Sequence, residues 1–444
     1  EIISIMFGTD GIRGIPYINP LDKKSLIKIG SSVGKLIKFK LDQFKNGHQI
    51  FISCDTRESS FFLKENLIRG LNSENIGVID LGILPTSSVS FFCNKYPNAF
   101  GIVITASHNS SEYNGIKIFN DKGEKLSNLD EEKVNSYFQN NKIKTSRINT
   151  KLNIEYKNSD DEYIDEILKK FKANKFKKLN VVFDLSNGSS YRVTKKIFSK
   201  ININAKYISM KPNGTNINNK CGVEDTRRLK KYILKNKFDL GIAFDGDADR
   251  AVFLDSNGKI IDGDKIIDFF SRKLLKKGQT LVTSIMTNNI IEKNLKKYKI
   301  KTLKTDVGDK NVYYKMIDID SKFGAENSGH YIFSNILRTS DSNLSALMFL
   351  SLIKEKEDIV KIVNQKLNPS ILKSYEIVKK KPIKKIIFIQ DFINDFNLNY
   401  KNYFLNIRYS GTENKIRILI QGASFKIIKE QIDLFGKLLA QYKL

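Results

Sequence analysis

The sequence predicts an α/β protein of several domains: three units in which strands alternate with helices, then a small α+β unit at the end. Two patterns carry this. Apolar, β-branched runs that stop at small polar loops recur at Ile50–Asp55, Gly101–Ser107, Val181–Gly188, Leu240–Asp245 and Leu281–Thr287. Between them lie amphipathic, lysine-rich stretches such as Asp225–Lys237 and Asp264–Lys277. Such alternation implies mixed or parallel sheets covered on both faces. Length agrees, because 444 residues exceed what one hydrophobic core serves.

Polar stretches at Asn140–Lys157 and Asn364–Ser374 read as linkers, and a third joint falls after the strand Arg250–Asp255. The predicted units are therefore 1–150, 151–254, 255–367 and 368–444. The last differs from the others, with apolar runs Ile386–Ile389 and Ile416–Ile420 flanking a helix-like segment.

Composition narrows the function classes. Hydrophobic content of 41% and charged content of 28% are those of a globular protein, and no run of about 18 apolar residues is present to span a membrane. Glu1–Met6 is too short and wrongly charged for a signal peptide, and Cys54, Cys93 and Cys221 lack metal-ligand spacing. A reduced, cytoplasmic protein is expected. The net charge of +27 raises nucleic acid as a partner, but 63 lysines against 12 arginines, spread along the whole chain, argue against it. The charge should instead draw small anionic substrates.

Four loops carry chemistry. In the first, Thr105–Lys117, Ser107 follows the buried run Gly101–Ile104 at the carboxyl end of a strand, where open α/β sheets place their ligands. A serine there, with His108 beside it and Lys117 ten residues on, can carry a phosphoryl group; a polar strand exit is the alternative. In the second, Asp245-Gly-Asp-Ala-Asp-Arg250, three alternating carboxylates suit one hard cation such as Mg²⁺, and Arg250 adds a fork for phosphate. An EF-hand is excluded because Ser256 stands at its twelfth position.

The third is Gly324–His330. If extended, it turns Glu326, Ser328 and His330 to one side, where they can hydrogen-bond sugar hydroxyls. A hydrated loop is equally compatible. In the fourth, Arg408 and Arg417 bracket the turn Ser410-Gly411-Thr412, which reads as a nest for a dianion in preference to a surface β-turn with incidental arginines. At the start of the chain, the glycines of Phe7–Gly14 permit a tight backbone that places Arg13 toward a shared cleft; a structural N-terminal turn is equally compatible.

Together and in this order, these elements resemble the α-D-phosphohexomutase superfamily over essentially the whole chain. Further matching stretches are Leu84-Pro-Thr86, Pro212–Asn218 with Cys221-Gly222, and Asp306–Asp309. The Asn216-Ile-Asn218…Cys221-Gly222 pattern is most similar to the amino-sugar branch. The resemblance implies three related α/β domains and a smaller α+β C-terminal domain around a central cleft. It implies a phosphorylated Ser107, one Mg²⁺ held by Ser107, Asp245, Asp247 and Asp249, and catalytic roles for His108, Lys117, Arg250 and Arg13. Glu326, Ser328 and His330 would bind the sugar, and Arg408, Ser410, Gly411, Thr412 and Arg417 the distal phosphate.

The implied reaction interconverts glucosamine 6-phosphate and glucosamine 1-phosphate through a 1,6-bisphosphate, feeding UDP-N-acetylglucosamine and cell-wall synthesis. The implied enzyme is a cytoplasmic monomer or homodimer acting on a sugar phosphate. Mannose or glucose phosphates are the alternative substrates; a non-catalytic, basic anion- or RNA-binding protein is a remoter reading. Ser110, Tyr113, Ala325, Asn327, Lys310, Val223 and Asn414 depart from the family pattern, and none removes a proposed catalytic atom.

Overall fold

The computed structural model describes residues 7–8, 10–41, 49–140, 153–171, 176, 178–201, 203–410 and 414–442. Its first sheet contains β1 (Ile12–Gly14), β2 (Gln49–Cys54), β3 (Gly77–Ile83), β4 (Ala99–Ile104), β5 (Asn114–Phe119) and β6 (Ile154–Tyr156), in the order β1-β5-β4-β2-β3-β6. The central strands β2, β3 and β4 are parallel, and β4–β5 and β5–β1 are antiparallel. The second sheet contains β7 (Asn180–Asp184), β8 (Asn204–Ile208), β9 (Leu240–Phe244), β10 (Ala251–Leu254) and β11 (Ile260–Ile261), ordered β11-β10-β9-β7-β8. The third contains β12 (Thr280–Ser284), β13 (Lys301–Thr305), β14 (Phe323–Glu326) and β15 (His330–Phe333), ordered β13-β12-β14-β15. The fourth is an antiparallel sheet of β16 (Ser370–Glu376), β17 (Phe404–Tyr409) and β18 (Lys415–Gln421), ordered β16-β18-β17.

All five apolar runs named above form strands, because buried β-branched runs fit a sheet covered on both faces. The two amphipathic stretches form the helices Arg227–Asn236 and Gly263–Leu274. Three expectations change. Within the stretch read as a linker, β6 adds to the edge of the first sheet by pairing with β3, so that sheet runs past residue 150. β11 likewise extends the second sheet past residue 255 by pairing with β10. Finally, Ile386–Ile389 is not a strand; it opens the helix Ile387–Asn399. Phe388, Ile389, Phe392 and Phe396 are buried there at helical spacing, which outweighs the local β propensity.

One face of the first sheet packs into a continuous apolar core with the second and third sheets, running through Phe92, Phe183, Phe244, Phe270 and Phe349. The last domain has a separate core around Ile389, Phe396, Ile418 and Phe435. It meets the third domain through polar contacts: Asn289 N–H donates to Gln421 Oε1 at 2.8 Å, and Gln421 Nε2 donates to Met286 O at 3.2 Å. Among the described residues, no helix is long and apolar enough to cross a membrane.

Candidate active site

Ser107 lies three residues beyond the end of β4, buried, in the left-handed region at φ +51°. Its Oγ donates to Asp245 Oδ2 at 2.6 Å. The loop is held from within its own domain by Arg57, a buried residue that follows β2. Arg57 Nε pairs with Asp55 Oδ2 at 2.9 Å, and its Nη atoms donate to Ser107 O at 3.1 Å, Asn109 O at 2.8 Å, Tyr113 O at 2.9 Å and Ser110 O. One guanidinium thus accounts for four loop carbonyls, so Ser110 and Tyr113, both departures from the family pattern, act here through their backbones. Left-handed geometry also changes the relation of Ser107 to His108. The segment is not extended, and His108 Nδ1 lies 3.5 Å from Ser107 Oγ, but the serine hydroxyl is committed to Asp245.

The three aspartates come together as the alternation predicted. Carboxylate oxygens of Asp245, Asp247 and Asp249 lie within 4.8 Å of one another, and all three residues are buried. Residues from three domains clamp the backbone of this loop. Thr86 N–H donates to Asp247 O at 3.0 Å, Ser189 N–H to Gly246 O at 2.7 Å, and Ser342 N–H to Ala248 O at 2.8 Å. Thr86 Oγ1 also donates to Asp247 Oδ2. A Cβ at Gly246 would sit 2.6 Å from Ser107 O, so only glycine lets the aspartate loop approach the serine loop this closely.

Lys117, on β5, supplies the counter-charge. Its buried Nζ lies 2.7 Å from Asp247 Oδ2, 2.7 Å from Asp249 Oδ2 and 2.8 Å from Asp10 Oδ2. Burial opposes its charge, but these carboxylates outweigh it and keep Lys117 protonated well past the ordinary lysine range. Burial also opposes charge on the carboxylates. Lys117 nevertheless holds Asp249 well below the usual value, while burial and the other two aspartates push Asp245 well above it. Asp247 Oδ1 is buried without a hydrogen-bond donor. An all-oxygen donor set with an orphaned oxygen fits a hard dication.

Asp10 extends the charge network to the third domain. Lys125 Nζ bridges Asp10 Oδ1 at 2.5 Å and Asp309 Oδ2 at 2.7 Å. Arg13 lies against the serine loop, with Nη1 donating to Asn109 Oδ1 at 2.7 Å and Nη2 paired with Asp10 Oδ2 at 3.1 Å. Lys310, which stands where the family pattern has arginine, pairs with Glu131 Oε1 at 2.7 Å.

The third loop is a hairpin rather than an extended segment. Glu326 ends β14 and His330 begins β15 as direct cross-strand partners, with Gly329 at φ +105° in the turn. Burial works against charge on His330, but Asp249 and Glu326 raise its pKa to about 10. As an imidazolium, it presents Nε2 to Asp249 Oδ1 at 3.3 Å and Nδ1 to Glu326 Oε2 at 3.4 Å, and these carboxylates offset the nearby Arg250, whose Nε is 3.3 Å from His330 Nε2. Ser328 is exposed at the tip, 3.2 Å from His330 Nδ1. Asn327 turns its amide into the third domain, toward Asp264 Oδ2 at 3.4 Å and Met286 O at 3.3 Å. His108, by contrast, is held neutral: burial, then Arg250 and Arg13, lower its pKa to about 4.

In the last domain Arg408 and Arg417 stand on β17 and β18, and Ser410 N–H donates to Lys415 O at 2.9 Å. Gly411 and Thr412 lie outside the described residues. Arg408 Nη2 is 3.9 Å from Met286 Sδ, placing this site at the joint with the third domain. Arg57, Thr86 and Lys125 were not singled out for chemistry from the sequence. Thr86 belongs to the Leu84-Pro-Thr86 stretch and Arg57 stands two residues beyond the predicted strand Ile50–Asp55, whereas Lys125 carries no local signal.

Serine, clustered aspartates, the Glu326–His330 hairpin and paired arginines therefore occupy one chain of α/β domains in a fixed order. The chain belongs to the phosphoglucomutase/phosphomannomutase family: the models for its alpha/beta/alpha domains I, II and III match residues 4–144, 161–258 and 262–369. Within it, the chain is 35% identical to the phosphoglucosamine mutase of Aliarcobacter butzleri over 436 residues, covering 96% of this chain and 97% of that one. It is likewise 35% identical to the phosphoglucosamine mutase of Campylobacter lari over 437 residues, with the same coverage. In fold it is similar to a phosphoglucomutase/phosphomannomutase family protein from Burkholderia thailandensis, with a TM-score of 0.80, 19% identity and 98% of both chains covered. It is also similar to N-acetylphosphoglucosamine mutase of Aspergillus fumigatus, solved with GlcNAc-6P and magnesium, with a TM-score of 0.67 and 15% identity over 100% of this chain and 96% of that one.

Proposed function

We propose that the protein is a phosphoglucosamine mutase, interconverting glucosamine 6-phosphate and glucosamine 1-phosphate by passing a phosphoryl group through Ser107. The observation that carries this is the Ser107 Oγ–Asp245 Oδ2 contact of 2.6 Å, inside a cluster of three carboxylates countered by buried Lys117. Full-length similarity to phosphoglucosamine mutases supports the amino sugar as substrate.

Asp245, Asp247, Asp249 and Ser107 would hold one Mg²⁺. When bound, this ion supplies charge neutralisation and polarises phosphoryl oxygens. The chain's own groups do the rest. In the first transfer the bond from phosphorus to Ser107 Oγ breaks and a bond to the sugar 1-oxygen forms, so the sugar hydroxyl must lose a proton. His108, neutral with a pKa of about 4, is the nearby group able to accept hydrogen. Lys117, Arg13 and Arg250 carry fixed positive charge toward the transferring group. The bisphosphate then turns end over end, Glu326, Ser328 and His330 hold its hydroxyls, and Arg408, Ser410 and Arg417 hold its outer phosphate. Ser107 Oγ takes back the phosphoryl from carbon 6. A last domain with its own core and a polar joint can open and close over that intermediate. The proposed location is the cytoplasm, as a monomer or homodimer.

Intact-mass measurement tests this directly. A phosphate-sized addition on Ser107 should be lost on incubation with glucosamine 6-phosphate, and Ser107→Ala should abolish net turnover. Retention of wild-type turnover by Ser107→Ala would overturn the proposal. Turnover of mannose or glucose phosphate in preference to the amino sugar would replace the substrate and leave the chemistry.

A further inference from the structure

The stretch Pro212–Gly222 marks the amino-sugar branch in the sequence, and it has no role in the mechanism above. In the structure it reaches from the second domain to the serine loop. Asn218 Nδ2 donates to Ser107 O at 2.8 Å and to Asn109 O at 2.9 Å. These are the two carbonyls that Arg57 Nη2 reaches from the first domain. Asn218 is itself in the left-handed region at φ +55°, which asparagine tolerates better than most residues, and its N–H donates to Ser186 O at 2.9 Å. Its Oδ1 has no donor, so the orientation of the carboxamide is dictated by the two carbonyls; reversing it would set oxygen against oxygen.

The contact sits where the two catalytic loops meet. A Cβ at Gly246 of the aspartate loop would lie 3.0 Å from Asn218 Nδ2 and 2.6 Å from Ser107 O. The left-handed backbone of Ser107 is uphill for a residue bearing a Cβ and needs external hydrogen bonds to persist. Arg57 alone would tie that backbone to the first domain. Asn218 ties the same carbonyl to the domain that carries Asp245.

We propose that Asn218 is a positioning residue for phosphoryl transfer. It holds the Ser107 backbone so that Oγ is aimed at the aspartate cluster across the boundary between the first two domains. The inference rests on the phosphoserine reading above, and its effect runs through the Ser107 carbonyl rather than through contact with the sugar.

The test compares wild type, Asn218→Asp and Asn218→Gly. Both substitutions suit a positive φ. Asp is isosteric but presents oxygen to the two carbonyls, and Gly removes the donor without adding repulsion. Two rates are read: turnover of glucosamine 6-phosphate, and phosphorylation of Ser107 by glucose 1,6-bisphosphate followed by intact mass. Losing a buried donor predicts a fall in kcat of about 10-fold or more for Asn218→Asp and a smaller fall for Asn218→Gly. KM should stay within about twofold, and Ser107 phosphorylation should slow by the same factor as kcat. A structural role alone would lower the melting temperature without this split.

Wild-type rates within twofold for Asn218→Asp, or a raised KM at unchanged kcat, would overturn the proposal. If Asn218→Asp fails to fold, Asn218→Gly decides by the same criteria. The two readings fail separately. A wild type that accepts phosphate on Ser107 from glucose 1,6-bisphosphate but does not turn over the amino sugar refutes the substrate, while the phosphorylation rates still judge Asn218.

Discussion

Arg408 and Arg417 face each other directly across the β17–β18 ladder. Like charges in this position repel. Burial, and then the facing Arg417, push Arg408 below the ordinary arginine value. Asp306 acts in the opposite sense and offsets part of that repulsion. Next to Arg408 in the chain's path, the Ser410 carbonyl accepts from Lys380 Nζ at 2.6 Å.

The first prediction concerns that pair. Arg417→Ala should raise KM for glucosamine 6-phosphate by roughly 10–100-fold, the loss of one charge-assisted hydrogen bond or more. Phosphorylation of Ser107 by glucose 1,6-bisphosphate at saturation should persist. Steady-state kinetics and intact mass together check this, and an unchanged KM would remove the arginine pair from the substrate site.

A second prediction concerns Thr86, whose N–H holds the Asp247 backbone carbonyl and whose hydroxyl donates to the Asp247 carboxylate. Thr86→Val keeps the shape and the N–H but deletes the hydroxyl. Supporting groups around metal ligands typically contribute about 10–100-fold in affinity, and we expect a loss near the lower end of that range for Mg²⁺. Titration of activity against Mg²⁺, with direct calorimetry of Mg²⁺ binding, measures it. An unchanged affinity would mean that the contact only joins domains.

The third is a pH dependence. Burial, and then the neighbouring Asp262, raise Asp264 to about 7. An acid with a raised folded pKa favours the protonated folded state, so stability falls as pH rises from about 4 to about 7 and is level above. Linkage puts this loss at about 4 kcal/mol. Asp264→Asn should therefore melt higher than wild type at pH 8, and the advantage should shrink as pH falls toward 4. Melting curves across that range decide it; a constant difference would show that Asp264 is not the titrating group.

Much of the fold was readable before the structure, for one physical reason. A strand buried on both faces must be apolar throughout, so Ile50–Cys54 and Leu240–Phe244 announce themselves locally. The reading failed where periodicity was ambiguous in a short run: Ile386–Ile389 could be strand or helix until Phe392 and Phe396 are seen to share its buried face. The edge strands β6 and β11 are only three and two residues long, too short to stand out from the polar segments around them. The reactive loops were visible because serine, three aspartates and two arginines are unusual at those spacings.

What the sequence by itself determined is the inventory: which loops bear the serine, the carboxylates and the arginines, and on which strands they hang. The tertiary structure alone decided how those groups are aimed. Arg57 and Asn218 meet on the carbonyls of Ser107 and Asn109 although they lie 161 positions apart in the chain. Thr86 finds Asp247 the same distance away, and the Glu326–His330 loop closes into a hairpin rather than an open face. Hydrophobic period is written locally in every few residues, whereas a hydrogen bond between domains exists only once their sheets have packed.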